Sequence, residues 1–383
     1  MSTFGRIWIL MATVLVDMIG FLMVLPLLPF YAERLGATPT VIGAMVSAFA
    51  FAQLITAPWW GRLSDRYGRR PMIIGGLLAS AIAYLVFGLA ESLWMLVLSR
   101  LVQGAGGGTI GVVQAYVADA VEAEERSKAL GWLTAATSAG VMIGPGIASL
   151  AAGWGPSAPG FLAAALCLAN AVSAFIWLPE SSTRATGDEA SRRRRSPLGR
   201  SIWQVVRHPR APVASLIWVY AIGIMAFMAM NGIWALFLDR QHGVTEQTIG
   251  LFYMYVGGVS LLMRGLLLGP TIRWLGEDRV MRVGILAMLA SFLTIPFTAS
   301  IPQLALAALL MPVGTALLFP ATTSLVSSRA PEEETGQTLG VQQAFGGVSR
   351  LVGPLWAGVI FQYVGIHAPF WVSAGLMVAI GLF

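Results

Sequence analysis

The chain has 383 residues, 57% of them hydrophobic and only 11% charged, and its mean hydropathy of +0.75 exceeds what a soluble core requires. The formal net charge of +6 would suit a nucleic-acid partner, but the basic residues are almost all arginine and gather in alternate polar stretches between apolar runs, which is a membrane-topology pattern. The one cysteine, Cys167, sits in an apolar run, so there is neither a disulfide framework nor a thiolate metal site; no His/Cys/carboxylate cluster has metal-ligand spacing either.

Apolar runs recur near 7–30, 41–60, 72–90, 93–118, 129–152, 157–178, 212–238, 246–269, 280–299, 302–326, 336–361 and 366–383. Each can cross roughly 30 Å of hydrocarbon as a helix. The sequence reads as an all-α polytopic membrane protein of twelve transmembrane helices. The first run is too long for a signal-peptide core and lacks a cleavage site, so it is read as a retained span. It contains Asp17, the only acidic residue near the middle of any span. A carboxylate there is costly to keep ionised, which fits a group that loads and releases a proton while facing a substrate; the alternative is a structural pairing with an arginine or with helix ends.

Between the second and third runs lies "GRLSDRYGRR", residues 61–70. Arg62, Arg66, Arg69 and Arg70 act as topology signals, Gly61 and Gly68 permit a tight turn, and Asp65 gains from a helix dipole if it stands at a helix N-terminus. The competing reading of Asp65 is a solvated loop carboxylate in a weak surface pair. In the fourth run Arg100 is followed one turn later by Gln103. A guanidinium at that depth needs a partner or a water-filled cavity, and its charge could tune the proton affinity of Asp17. Gly104 with Gly108, and Gly107 with Gly111, form small-xxx-small pairs that admit a neighbouring helix. No Gly-Lys-Ser/Thr follows them, so "GAGGG" is not a phosphate loop. In the fifth run Gly140 precedes Gly144-Pro145, where the proline removes a backbone hydrogen bond and bends the helix.

The longest polar interruption, 179–211, divides six spans from six and reads as a linker between a bundle over 1–178 and a second over 212–383. Its "RRRR", 192–195, reads as an anchor to anionic lipid. In the second half, Gly353-Pro354 repeats the helix-bend motif in the eleventh run. Arg350 lies deep in that run, and Arg264 lies near the end of the eighth, where it can snorkel. Polar residues available for substrate contact are Gln53, Gln103, Gln114, Asn170, Asn231, Trp234, Tyr253, Tyr255, Gln342 and Gln343, although most such groups in membrane helices join helix to helix. His208, His242 and His367 fall in loops or at span edges.

With the N-terminus in the cytoplasm, Arg6 and the loops 61–71, 119–128, 179–211, 270–282 and 327–335 hold 19 of the 24 Lys and Arg residues on the inner side, leaving Arg34 and Arg240 in the opposite loops. The halves repeat. Glu124, Glu125, Leu130, Gly131, Gly144 and Pro145 recur 209 positions later as Glu333, Glu334, Leu339, Gly340, Gly353 and Pro354, and Gly61 and Gly68 recur 208 positions later as Gly269 and Gly276. Two parallel six-helix repeats place a substrate site at their interface. The repeat also implies that the last span is cut short at Phe383.

"GRLSDRYGRRP" resembles the loop 2–3 signature of the major facilitator superfamily. "LSRLVQGAGGG" resembles its Arg-x-x-x-Gly motif, "GVMIGPGIAS" the Gly-Pro motif of proton-coupled drug exporters, and "LVDMIGFLMVLPLLP" the first helix of tetracycline and multidrug exporters in the twelve-helix drug:proton antiporter group. The departures are Ala148 and Ser149, where that group usually has a Gly-Gly pair, and Arg273, which replaces Asp65 in the second half. The resemblance implies a major facilitator fold. It also implies a role for Arg100 in proton transfer or substrate contact. Asp65, Arg69 and Asp119 are implied to form a charge cluster that bridges to helix 11 and keeps the inside closed in the outward-facing state.

The expected activity is proton-coupled export of amphipathic or lipophilic small molecules by alternating access. It would be driven by the proton gradient without a cofactor, by a monomer in a bacterial inner membrane. An uptake symporter for a sugar, organic anion or nutrient, a lipid-moving protein, and a non-transporting receptor on the same fold are the alternatives. No nucleotide domain or hydrolase nucleophile set points to an ATP-driven pump or an enzyme.

Overall fold

The computed structural model describes residues 3–181, 198–331 and 333–382, so the arginine run 192–195 lies outside the described residues. Within them the chain is helical with no β-strand. In order the helices are α1 (Thr3–Val24), α2 (Leu28–Arg34), α3 (Pro39–Tyr67), α4 (Arg69–Gly88), α5 (Leu93–Gly106), α6 (Thr109–Ala120), α7 (Ala123–Ala152), α8 (Ala158–Trp177), α9 (Leu198–Arg207), α10 (Pro212–His242), α11 (Ile249–Leu262), α12 (Leu268–Leu275), α13 (Glu277–Thr294), α14 (Ile301–Arg329), α15 (Thr335–Tyr363) and α16 (Ala368–Gly381). Among the described residues, eleven helical segments are long and apolar enough to cross a membrane, and Ala368–Gly381 is a shorter apolar helix. Helices are the only open-chain structures that satisfy their own backbone in lipid, which is why apolar composition alone locates them.

Proline and glycine set the joints. Proline opens α10, α14 and α16, where a missing N–H costs nothing. The fourth apolar run is not one helix: it breaks at Gly107-Gly108, between α5 and α6, at the end of the glycine run. In the eighth, a π-turn over Met263–Leu267, containing Arg264, separates α11 from α12. Internal prolines occur at Pro58, Pro145, Pro312, Pro320 and Pro354.

The turn expected over 61–70 is much shorter than the sequence reading. α3 continues through Gly61 to Tyr67 and α4 starts at Arg69, so Gly68 is the whole connection. Its φ of 103° lies in the region open to glycine, and Gly276, its repeat counterpart between α12 and α13, has φ 75°. Gly61 therefore makes no turn. Asp65 stands in the last turn of α3, at a helix C-terminus, where the dipole does not favour it. Leu63 to Tyr67 contains no helix breaker, and the helix runs on until a glycine allows reversal.

Packing divides the chain into two compact units. One takes in the chain up to Ala37, Ala48 through α8, and Val244–Gly257; the other takes in Thr38–Ser47, α9 to Gly243, and Gly258 onward. In the first, α1 packs on α7 and α8, and α4 on α5 and α8. In the second, α10 packs on α14 and α15, and α13 on α14 and α16. Large apolar side chains on outer faces, such as Phe175, Ile176 and Trp177, stay exposed, as lipid-facing residues do.

Candidate functional site

The first unit encloses a line of polar groups. Asp17, on α1, is 8% exposed, and its carboxyl lies beside the Ser80 side chain of α4. One turn along α4 the Tyr84 ring fits against Gly20, where an added Cβ would come within 2.9 Å of the ring and 3.2 Å of Cys167 Sγ. Ser80 and Tyr84, four apart, thus turn two hydroxyl groups to the same side of α4. The Gln103 amide of α5 donates to the Tyr84 hydroxyl at 2.6 Å. Higher on α1, Asn170 of α8 donates to the Thr13 carbonyl at 3.0 Å.

Arg100 is 1% exposed, and no ion pair joins it to Asp17. Its Nη2 donates to Ser99 Oγ at 3.2 Å, its guanidinium lies 5.6 Å over the Phe87 ring, and its Nε has no partner among the described residues. The expected charge partnership of Arg100 with Asp17 is thus indirect: Tyr84 is the group within electrostatic reach of both. Gln103 Oε1 and Thr13 Oγ1 are also buried without partners. Unmet polarity of this kind is costly in an apolar interior and concentrates where groups change partners.

The glycines of the bend motif frame the same turn of α1. A Cβ on Gly140 would lie 2.7 Å from the Leu15 carbonyl oxygen and 2.7 Å from Met18 Cβ, and one on Gly144 would lie 2.8 Å from the Ile19 carbonyl oxygen. α7 therefore closes directly onto the segment of α1 that carries Asp17. The second unit repeats this contact: Gly353 faces the Met225 carbonyl and Pro354 faces Gly232, joining α15 to α10. Ser149, which stands where the exporter pattern has glycine, accepts the Gly250 N–H at 2.8 Å and donates to the Glu246 carbonyl at 3.0 Å. Pro145 presents its carbonyl to Gly250. The Glu246 side chain pairs with Arg34 at 2.7 Å.

At the Gly68 turn, Asp65, Arg69 and Asp119 come together. Arg69 pairs with Asp65 at 2.6 Å and with Asp119 at 2.9 Å, and also donates to Ser64 Oγ. The exposed N-terminal amides of α4 are taken by Glu180: its Oε1 accepts from Arg69 N at 2.7 Å and Arg70 N at 3.3 Å. Arg70 donates to the Phe175 carbonyl and covers its ring, while Arg66 lies over Tyr67.

The remaining sequence candidates are shared between the two units. Gln53 donates to the Gly107 carbonyl at 3.0 Å, bracing the α5–α6 break, and Asn231 bonds the Phe227 carbonyl of its own helix at 3.1 Å. Trp234 is buried against Phe237 and Phe370. Gln342 is buried beside Thr323, and Gln343 approaches the Tyr220 hydroxyl at 3.4 Å. Arg350 is half-buried, one turn beyond Gly346, which faces the Tyr220 ring of α10. Gln114 is exposed, Tyr253 is half-buried, and Tyr255 is exposed. No group of His, Cys, Asp or Glu among the described residues is arranged to hold a metal. Sequence reasoning missed Ser80, Tyr84, Glu180 and the Arg34–Glu246 pair. Only a hydroxyl pair spaced four apart in an apolar helix signalled the first two.

The model of the Major Facilitator Superfamily matches residues 10–298 and 265–383. Multidrug resistance protein 2 of Bacillus subtilis is 32% identical over 386 aligned positions, covering 98% of this chain and 92% of that protein. Tetracycline resistance protein, class B, of Escherichia coli is 26% identical over 93% of this chain and 88% of its own length. In fold, the human organic anion transporter MFSD10 aligns with a TM-score of 0.71 at 22% identity, over 100% of this chain and 99% of that one. A bacterial homologue of the human lysosomal transporter Spinster gives 0.77 at 14% identity, over 98% and 94%. Matched by the family model over residues 10–383 and carrying helices long and apolar enough to span a bilayer, this integral membrane protein belongs to the major facilitator superfamily.

Proposed function

We propose that the chain is a proton-coupled antiporter that exports amphipathic or lipophilic small molecules by alternating access, with Asp17 as the proton carrier. The observation that carries this reading is a carboxyl deep in α1, beside the Ser80 hydroxyl and, among the described residues, in no ion pair, so that it can exist in both charge states. The names of the relatives, multidrug and tetracycline resistance proteins, support the substrate class. In this reading the two sequence halves, 1–178 and 212–383, are the moving bundles and the segment 179–211 is their tether. The N-terminus is cytoplasmic, the membrane is a bacterial inner membrane, the working form is a monomer, and the proton gradient is the energy source without a cofactor.

Proton entry neutralises Asp17 and releases substrate outward; deprotonation toward the cytoplasm restores affinity. Coupling requires each ligand to bind the two states unequally, and a carboxyl exposed differently in each supplies that difference. Asp65, Arg69 and Asp119 act as the conformational latch, and Arg100 as a fixed charge near the proton site. The test is substrate-driven proton movement in proteoliposomes. Asp17→Asn should abolish it while leaving exchange of labelled substrate for unlabelled substrate; undiminished coupled transport would remove Asp17 from the mechanism.

A further inference from the structure

The second unit contains an apolar cleft, of about 290 Å³, that no part of the transport reading uses. Its walls are Trp218 and Met225 of α10 and Phe345, Val348 and Ser349 of α15, with Ile202 of α9 across one end. Ser349 is the only hydroxyl among its lining residues. Its volume suits part of a hydrocarbon chain and lies just under the range of drug-sized pockets.

The helix across its end is amphipathic. α9 buries Val205, half-buries Ile202 and leaves Trp203, Val206 and Arg207 exposed, followed by exposed His208 and Arg210. It is tied down by the Trp218 indole, which donates to the Val205 carbonyl at 3.3 Å, and by Gln337, which donates to Ser201 Oγ at 2.8 Å. No Asp or Glu occurs from Leu198 to Ala211. A short helix with an apolar inner face, an exposed tryptophan and basic residues at its end is built to lie at the boundary between hydrocarbon and headgroups. Ile202 belongs both to this helix and to the wall of the cleft, which sets that end of the cleft at the boundary, and Arg207 and Arg210 follow it in the chain.

We infer that this cleft seats an acyl chain of an anionic phospholipid, with the headgroup phosphate held by Arg207 and Arg210. The apolar walls alone would accept any lipid. The two arginines select the charge, adding roughly thirtyfold in preference if each contributes at the usual scale for a basic group near an anionic surface. Seated lipid would brace α9 against α10 and α15.

The test uses the full chain in vesicles containing either phosphatidylglycerol or phosphatidylcholine brominated on the acyl chain, since bromine quenches tryptophan on contact. The signal is the part of the quenching lost in Trp218→Phe. The expected result is that brominated phosphatidylglycerol quenches Trp218 at roughly thirtyfold lower mole fraction than brominated phosphatidylcholine. Arg207→Gln with Arg210→Gln, both on the surface, should erase that preference while leaving quenching by either lipid. Ser349→Phe should reduce quenching by both, with Ser349→Ala as its conservative control. Equal quenching by the two lipids in the unmodified protein overturns the proposal. So does a preference that survives loss of both arginines, or relief of quenching by a lipophilic cation such as tetraphenylphosphonium, which would make the cleft a substrate seat instead.

Discussion

Gln103 and Tyr84 are bound to each other across α5 and α4 at 2.6 Å, in a space where both are buried, so each supplies the other's principal polar partner. The same Tyr84 ring fills the hollow at Gly20 on the Asp17 helix. One tyrosine therefore ties together the two helices that carry the fixed charge and the protonatable carboxyl.

Tyr84→Phe keeps the ring and strands the Gln103 amide. Thermal unfolding in detergent should show a loss of about 1–3 kcal/mol, the usual penalty for an orphaned buried polar group. Tyr84→Phe combined with Gln103→Leu should cost less than the sum of the two single changes. Strict additivity would mean that the bond contributes nothing.

Gly144→Val would drive a side chain into the Ile19 carbonyl and Leu22, forcing α7 off α1. Overpacking of this kind costs about 1–3 kcal/mol, so the melting temperature should fall and transport should fall with it. Gly111→Ala, where a Cβ meets nothing within 4 Å, should melt like the unmodified chain.

Glu180→Ala removes the acceptor for two N-terminal amides of α4. Loss of such a cap costs about 1 kcal/mol. Hydrogen exchange should quicken at Arg69 and Arg70 while the amides in the middle of α4 remain protected. Unchanged protection at the first turn would show that water serves as well as Glu180.

Ser149→Gly restores the residue usual in the exporter pattern and deletes the hydroxyl that holds both the Glu246 carbonyl and the Gly250 amide. The Gly250 amide should exchange faster by mass spectrometry of the 244–257 peptide, with Arg34→Ala adding to the effect through the lost pair with Glu246.

The apolar runs were legible because lipid leaves a chain no other way to satisfy its backbone, and the bend motifs because Gly144 and Gly353 recur at a fixed offset. The joints were not. Gly61 and Gly68 look alike in sequence, and only the run of α3 to Tyr67 separates the helical one from the turning one. The role of Glu180 depends on a contact 110 residues away, which no local pattern encodes. Asp17 and Arg100 announce themselves as charges in apolar surroundings. Ser80 and Tyr84, which hold the space near them, look like ordinary members of a membrane helix.

The joint between α3 and α4 consists of Gly68 alone, and the amides just beyond it are fastened to Glu180. Two long helices meeting at one residue behave as the arms of a bell crank. Whatever tilts α3 must either be absorbed in the two backbone torsions of Gly68 or be delivered, undiminished by slack, to α4 and so to the Ser80 hydroxyl beside Asp17.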